Sequence, residues 1–300
     1  MDARHRGRGG GRRRLPGLHA RPVELTTRPG QERPSEVSLL VSTYRSPRAL
    51  ELSLGSVLRQ SRLPDEVLVA DDGSGAETRA VVDAAERRLA ERGVSLRHLW
   101  HEDLGFRAGG IRNKALSAGT SAYVVQIDGD VVLHPRFIEQ HVGWARTGYF
   151  LCGRRADLTP ERTAEIEASL TLPERFRASR DFERLKYAFY FPPLTPLFLR
   201  QYARSHTKGL MGSNMSYWLE DALRVNGYDE DFEGWGKEDN DFALRLLNSG
   251  VRRRTLVGSA LQYHLYHRQN DRSRLDENTT RLEEVCMSGR TRCANGIVKD

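Results

Sequence analysis

Between residues 37 and 128 the chain alternates short, uninterrupted apolar runs with amphipathic stretches, and this alternation restricts the fold more than any other feature. Val37 to Ser42, Glu66 to Ala70, Ser95 to Trp100 and residues 122–127 read as strands, being β-prone, short and bounded by turn residues. Between them, Leu50, Leu54, Val57 and Leu58 follow Pro47 at helical spacing. Val81, Val82, Ala85 and Leu89 do the same within 76–92, with charges outward. Gly109 to Ala118 reads as a third helix. Strand–helix–strand units of this length predict an α/β fold, a parallel sheet with helices on both faces. Ligands of such sheets bind beyond the carboxyl ends of the strands. Thr43-Tyr44-Arg45, Asp71-Asp72 and Asp128-Gly129-Asp130 all fall at those ends, so one sheet edge collects the polar residues.

Farther along, 134–146 reads as helix and 149–153 as strand. Residues 160–204 hold two helical patterns rich in Glu and Arg, then the aromatic and proline segment Tyr187 to Pro193, which suits a lid, an acceptor platform or a hydrophobic brace. Met211 to Trp218 reads as strand and 237–249 as helix. Leu256 to Tyr266 is expected to close the sheet, and 270–300 to be polar and peripheral.

Net charge is +7, but residues 1–33 hold nine Arg against Asp2, Glu24 and Glu32, leaving about +1 for the rest. The basic character therefore belongs to the tail, and a folded nucleic-acid binder is not expected. A tail with Arg-Gly-Arg-Gly-Gly-Gly-Arg-Arg-Arg at 6–14 cannot bury enough surface to fold, so 1–35 is expected to be disordered and solvated. Electrostatic contact of the tail with an anionic membrane, or more weakly with nucleic acid, is its alternative role. No stretch reaches the apolar length of a membrane span. Three cysteines, Cys152, Cys286 and Cys293, are too few for a disulfide framework and point to reduced thiols and a cytoplasmic chain.

Two acidic clusters carry the chemistry. Asp128 and Asp130, at i and i+2 on an extended chain, point the same way and can address one cation or one diphosphate. Gly234-Trp235-Gly236-Lys237-Glu238-Asp239-Asn240-Asp241 opens a helical pattern of Phe242, Leu244, Leu246 and Leu247, so its acids sit in a first turn, where the dipole favours anions. Together they suggest one site in which the first cluster holds a metal and the second removes a proton. Asp241 is assigned to the helix surface.

Val41-Ser42-Thr43-Tyr44-Arg45, Asp71-Asp72-Gly73-Ser74, Arg112-Asn113-Lys114-Ala115-Leu116 and Asp128-Gly129-Asp130 resemble the successive motifs of family-two glycosyltransferases. Gly234-Trp235-Gly236-Lys237-Glu238-Asp239 resembles the C-terminal motif shared by β-1,4-galactosyltransferases and bacterial chondroitin-polymerase-like enzymes. The resemblance spans about 37–267 and implies the GT-A nucleotide-diphospho-sugar transferase fold, with a mostly parallel central sheet flanked by helices. It implies a single domain over 36–270, with a nucleotide-binding half (36–133), an acceptor and catalytic half (134–270), and a polar extension over 271–300.

The implied activity is metal-dependent transfer of a hexose or N-acetylhexosamine from a nucleotide sugar, UDP-linked by preference, to a saccharide or glycolipid hydroxyl. Inversion is expected; retention, or a non-catalytic nucleotide-sugar or glycan-binding module, are the alternatives. By resemblance Thr43, Tyr44, Arg45, Asp71, Asp72, Arg107, Arg112, Asn113 and Asp128 bind the donor. Asp130 is the direct metal ligand, joined by His264 or His267; at i and i+3 on a strand these two would face opposite sides, so one is expected to bind. Oxygen ligands suit Mg²⁺ or Mn²⁺, and an imidazole favours Mn²⁺. Asp239 matches the general base, while Glu238, Trp235 and Gly236 match the sugar and acceptor contacts. Asn240 departs from the family, standing where galactosyltransferases often have a third acid.

Overall fold

The computed structural model describes residues 33–299 apart from 177–179, 185–187, 200, 203–206, 208 and 269–270, with backbone alone at 198, 201 and 202. The Arg-rich tail through residue 32, with the membrane contact expected of it, lies outside the described residues, as do Tyr187 and part of the second helical pattern of 160–204.

The first half runs β1 (Val37–Thr43), α1 (Pro47–Val57), β2 (Glu66–Asp71), α2 (Ala76–Ala90), β3 (Ser95–Trp100), α3 (Ala108–Ala118), β4 (Tyr123–Asp128) and β5 (Val131–Leu133). Next come α4 (Phe137–Trp144), β6 (Tyr149–Cys152), β7 (Arg155–Asp157), α5 (Pro160–Ser169), α6 (Thr195–Phe198) and β8 (Gln201–Tyr202). The chain finishes with β9 (Asn214–Trp218), α7 (Leu219–Arg224), α8 (Glu238–Asn248), β10 (Arg252–Thr255), β11 (Gln262–His264) and α9 (Leu275–Ser288).

Eight strands form the main sheet in the order β3-β2-β1-β4-β9-β6-β10-β8. Only β9 and β8 run against their neighbours. The strands read as continuous apolar runs because both faces are covered. Leu39, Val41, Val67, Val69, Val125 and Ile127 pack beneath α1, α2 and α4. The alternate residues Leu40, Leu68, Ala70 and Val124 pack beneath α3, α7 and α8.

Two expectations from the sequence are corrected. The strand expected over Leu256 to Tyr266 does not close the main sheet: β10 and β8 do, and β11 joins β5 and β7 in a separate three-stranded sheet. The break follows from the turn around Gly258 and Ala260, both at positive φ, between β10 and β11. The polar stretch after 270 is not merely peripheral either. Its helix α9 packs along α8, and its Val285 and Cys293 are buried. A few apolar residues on an otherwise charged helix suffice for docking, which overall polarity conceals. All three cysteines are unpaired. Among the described residues no helix is long and apolar enough to cross a membrane.

Register places the site. Parallel pairing sets Thr43 of β1 beside Asp71 of β2, and Ser42 beside Asp128 of β4. The chain segments that leave these strand ends therefore emerge side by side above one edge of the sheet.

Candidate active site

A cleft of about 1080 Å³ opens over that edge. Thr43, Tyr44, Arg45, Asp72, Arg107, Arg112, Asp128, Asp130, Trp235, Glu238, Asp239 and His267 line it, so most residues singled out in the sequence converge.

One corner gathers three side chains that could hold a cation. Asp130 Oδ2 lies 3.3 Å from His267 Nε2 and 3.6 Å from His264 Nε2. The three ligand atoms lie within 4.8 Å of one another. The expectation that only one histidine could face the site is corrected: β11 ends at His264, so strand alternation no longer governs His267. Pairing of β11 with β5 and β7 brings His264 between Val131 and Asp157. Asp157, which no sequence motif flagged, lies 3.3 Å from His264 Nδ1 and so turns Nε2 toward Asp130. His267 Nδ1 faces the Arg268 carbonyl at 2.6 Å, which orients its Nε2 the same way. Burial would raise the Asp130 pKa, but the two imidazoles hold it far below the carboxylate range. Burial opposes protonation of His264, yet Asp130 and Asp157 push its pKa up to about 9. Asp130 Oδ1 is buried without a hydrogen-bond partner. An orphaned carboxylate oxygen beside two imidazoles oriented by outer partners fits a divalent cation.

The opposite corner is a carboxylate group knitted by one guanidinium. Arg112 of α3 is almost fully buried, and its Nε donates to Ser42 Oγ at 3.0 Å. Its Nη1 reaches Glu238 at 3.1 Å and Asp239 at 3.3 Å, and its Nη2 reaches Asp128 at 3.3 Å. Arg112 lines the cleft as expected but is committed to these acids, not held open for phosphate. Burial, with the charge of Asp239, pushes the Glu238 pKa up to about 7 against the pull of Arg112. Desolvation deep in the cleft raises Asp128 to about 6; Arg112 opposes this and Asp130 and Asp239 add to it.

The loop before α8 is shaped by its glycines and braced from outside. Gly234 and Gly236 take φ of 74° and 107°, in the region that favours glycine. Asn278 of α9 donates to the carbonyls of Glu233 at 3.0 Å and Gly236 at 2.9 Å, and Arg272 lies over the Trp235 ring at 4.8 Å. Gly236 thus sets the loop and is not on the cleft wall.

At the remaining wall Asp72 Oδ2 accepts the Arg107 N–H at 2.8 Å, and its other oxygen faces His101. Tyr44 donates to Asp103 at 3.2 Å, and Arg45 pairs with the same carboxylate, which had no sequence signal of its own.

Three further assignments change. Asp71, expected at the donor, is fully buried behind the wall; it accepts the Ser74 N–H at 2.8 Å, pairs with His98 at 2.9 Å, and so holds the turn. Asn113, also expected at the donor, is buried away from the cleft. Its amide donates to the Tyr228 carbonyl at 2.8 Å and to Glu230 at 2.9 Å, and its oxygen accepts the Tyr228 N–H at 2.7 Å. Asp241, expected on the helix surface, is fully buried against Arg245 at 2.6 Å.

Comparison with known proteins bears on the family and the fold. Residues 38–206 match the model of glycosyl transferase family 2, and 198–268 match that described as the N-terminal domain of galactosyltransferase. The chain is 31% identical over 228 residues to validoxylamine A glucosyltransferase of Streptomyces hygroscopicus subsp. limoneus, covering 72% of this chain and 48% of that protein. It therefore spans about half the length of that relative. Among solved structures, S. aureus TarS in complex with UDP superposes with a TM-score of 0.55 at 15% identity, covering 85% of this chain and 65% of that one. The mannosyltransferase PcManGT of Pyrobaculum calidifontis, solved with GDP-Man and Mn²⁺, gives 0.53 at 18% identity, covering 80% and 59%. At these identities the structures establish the GT-A-like fold alone.

Proposed function

Because the chain belongs to glycosyl transferase family 2, we propose that it transfers a hexose or N-acetylhexosamine from a UDP-sugar to a saccharide hydroxyl with inversion. The observation that carries this reading is the pairing, in one cleft, of a cation-ready Asp130–His264–His267 corner with the hydrogen-bonded Asp239 carboxylate. The TarS structure holds UDP and the mannosyltransferase holds GDP-Man with Mn²⁺, which supports a nucleotide-sugar donor and a divalent ion.

Asp130, His264 and His267 would hold Mn²⁺ or Mg²⁺, which when bound offsets the charge that grows on the departing diphosphate. Thr43, Tyr44, Arg45 and Asp72 bind the nucleoside end, and Arg107 stands beside them. Trp235 presents an apolar face to the pyranose, and Glu238, kept partly protonated near neutrality, can donate to a sugar oxygen. Asp239 takes the proton of the acceptor hydroxyl while the hydroxyl oxygen bonds to the anomeric carbon. The anomeric carbon–phosphate oxygen bond breaks, and its electron pair leaves with UDP.

The test is nucleotide release from a panel of UDP-sugars, GDP-mannose included, with Mn²⁺, Mg²⁺ or EDTA. Release only from UDP-sugars, only with metal, and about 10²–10⁴-fold slower in Asp239→Asn with UDP binding retained is the expected result. Undiminished turnover by Asp239→Asn, or full activity in EDTA, would overturn the assignment.

A further inference from the structure

Asp239 does not hold its own carboxylate in place, and neither does the helix that carries it. Its Oδ1 is met by Arg112 and, at 3.3 Å, by the hydroxyl of Tyr228. Its Oδ2 lies over the backbone of Gly212, where a Cβ would come within 1.7 Å of that oxygen and 2.0 Å of Cγ. Gly212 does not adopt a positive φ, so its lack of a side chain answers to this close approach and not to backbone conformation.

Two of these three supports, Tyr228 and Gly212, are tied to one residue. Gln126 of β4 is fully buried; its Nε2 donates to the Gly212 carbonyl at 3.0 Å and its Oε1 accepts the Tyr228 hydroxyl at 2.8 Å. A second phenol, Tyr217, donates to the same Oε1 at 2.8 Å. The Tyr228 ring is clamped by stacking on Phe242 of α8, 4.6 Å between centroids and 16° between planes. Strand alternation puts Gln126 on the face of β4 that carries Asp128, two residues on. The strand that ends at the cleft's Asp128, two residues before Asp130, therefore also supports Asp239.

We propose that Gln126, acting through Tyr228 and Gly212, is the positioning residue that orients the Asp239 carboxylate toward the acceptor. This rests on the reading of Asp239 as base. The Tyr228 hydroxyl has one proton and two acceptors within reach, Gln126 Oε1 and Asp239 Oδ1. When Asp239 is anionic it competes for that proton; once it has taken the acceptor's proton, Tyr228 reverts to Gln126. The Tyr228 contact to the carboxylate is thus made before transfer and given up after it.

The experiment compares Tyr228→Phe, Gln126→Leu and Gly212→Ala with Asp239→Asn. It reads UDP affinity by calorimetry with Mn²⁺, melting temperature, and kcat and KM for the UDP-sugar most active in the panel above. Tyr228→Phe removes one oxygen from a ring still clamped by Phe242, and should lower kcat about 10–100-fold with KM and UDP affinity within about twofold. Gly212→Ala should approach the Asp239→Asn loss. If Asp239→Asn is inactive while Tyr228→Phe and Gln126→Leu keep kcat within about twofold, the positioning role is refuted although the base assignment stands. A kcat loss in Tyr228→Phe matched by lost UDP affinity and melting temperature would also refute it, marking Tyr228 as structural only. Full activity of Asp239→Asn would instead remove the reading on which the inference depends.

Discussion

Within Glu238-Asp239-Asn240-Asp241 the structure separates an acid that faces the cleft from one that is buried, and Asp241→Asn tests that separation. Asp241 and Arg245, one turn apart on α8, are both fully buried. The guanidinium spends its remaining donors on the carbonyls of Val225, at 2.6 Å, and Gly227, at 2.8 Å, in the turn leading to Tyr228. Asp241 Oδ2 accepts from both Nε, at 2.9 Å, and Nη2, at 2.6 Å. Amide in place of carboxylate leaves Arg245 charged and without the carboxylate hydrogen-bonded to it, a loss of about 3–5 kcal/mol. A domain of this size has about 5–15 kcal/mol in all and loses about 2–4 °C of melting temperature per kcal/mol, so a drop of roughly 6–20 °C is expected. Replacing the pair together, Asp241→Leu with Arg245→Met, removes both charges and should recover most of the loss. Urea denaturation of Asp241→Leu, of Arg245→Met and of the double variant gives the coupling energy. At a temperature where Asp241→Asn remains folded, its kcat should stay within about threefold of the parent, whereas that of Asp239→Asn should not. A loss below about 1 kcal/mol, or a double variant no better than the sum of its singles, would refute the buried-pair account.

Two further outcomes follow from particular contacts. Asp157→Asn removes the charge behind His264 Nδ1, and a lost outer partner typically costs 10–100-fold in metal affinity. Titration of Mn²⁺ followed by electron paramagnetic resonance should show that weakening, and unchanged affinity would contradict the role given to Asp157. Glu66 is buried, and although burial would raise its pKa, the Ser38 hydroxyl, the Thr120 and Ser121 N–H groups and Arg97 hold it at about 2. A depressed folded pKa stabilises above the unfolded value of about 4.5 and is lost as pH falls through about 2, amounting to about 3 kcal/mol at pH 7. Glu66→Gln should therefore be less stable by about 2–3 kcal/mol at pH 7, with the gap narrowing below pH 4.5; a gap constant with pH would argue against this.

Much of the architecture was legible because its signals are local. Strands covered on both faces show as unbroken apolar runs, and Leu50, Leu54 and Val57 keep helical spacing whatever they pack against. Even the site's location followed, since the carboxyl ends of parallel strands must lie together. The second sheet was not legible: β5, β7 and β11 are three residues each, too short for a periodicity to declare itself. The docking of α9 on the Gly234–Gly236 loop was hidden by its charged surface.

The amino-acid sequence by itself thus determined the layered α/β frame, the edge where the polar motifs meet, and the two acidic clusters, because each depends on neighbours a few residues away. Only the tertiary structure decided which of those acids face the cleft. Asp71 and Asp241 carry the same carboxylate as Asp72 and Asp239, yet His98 and Arg245 draw them into the protein interior. Asn113 is likewise taken by the Tyr228 backbone, and Arg112 by three carboxylates. The pairing of Asp130 with both histidines, the placement of Asp157 behind His264, and the support of Asp239 by Gln126 all join distant segments. The physical reason is common to them: a polar group's role is set by the partner that desolvates and bonds it, and that partner is chosen by register and packing, not by sequence proximity.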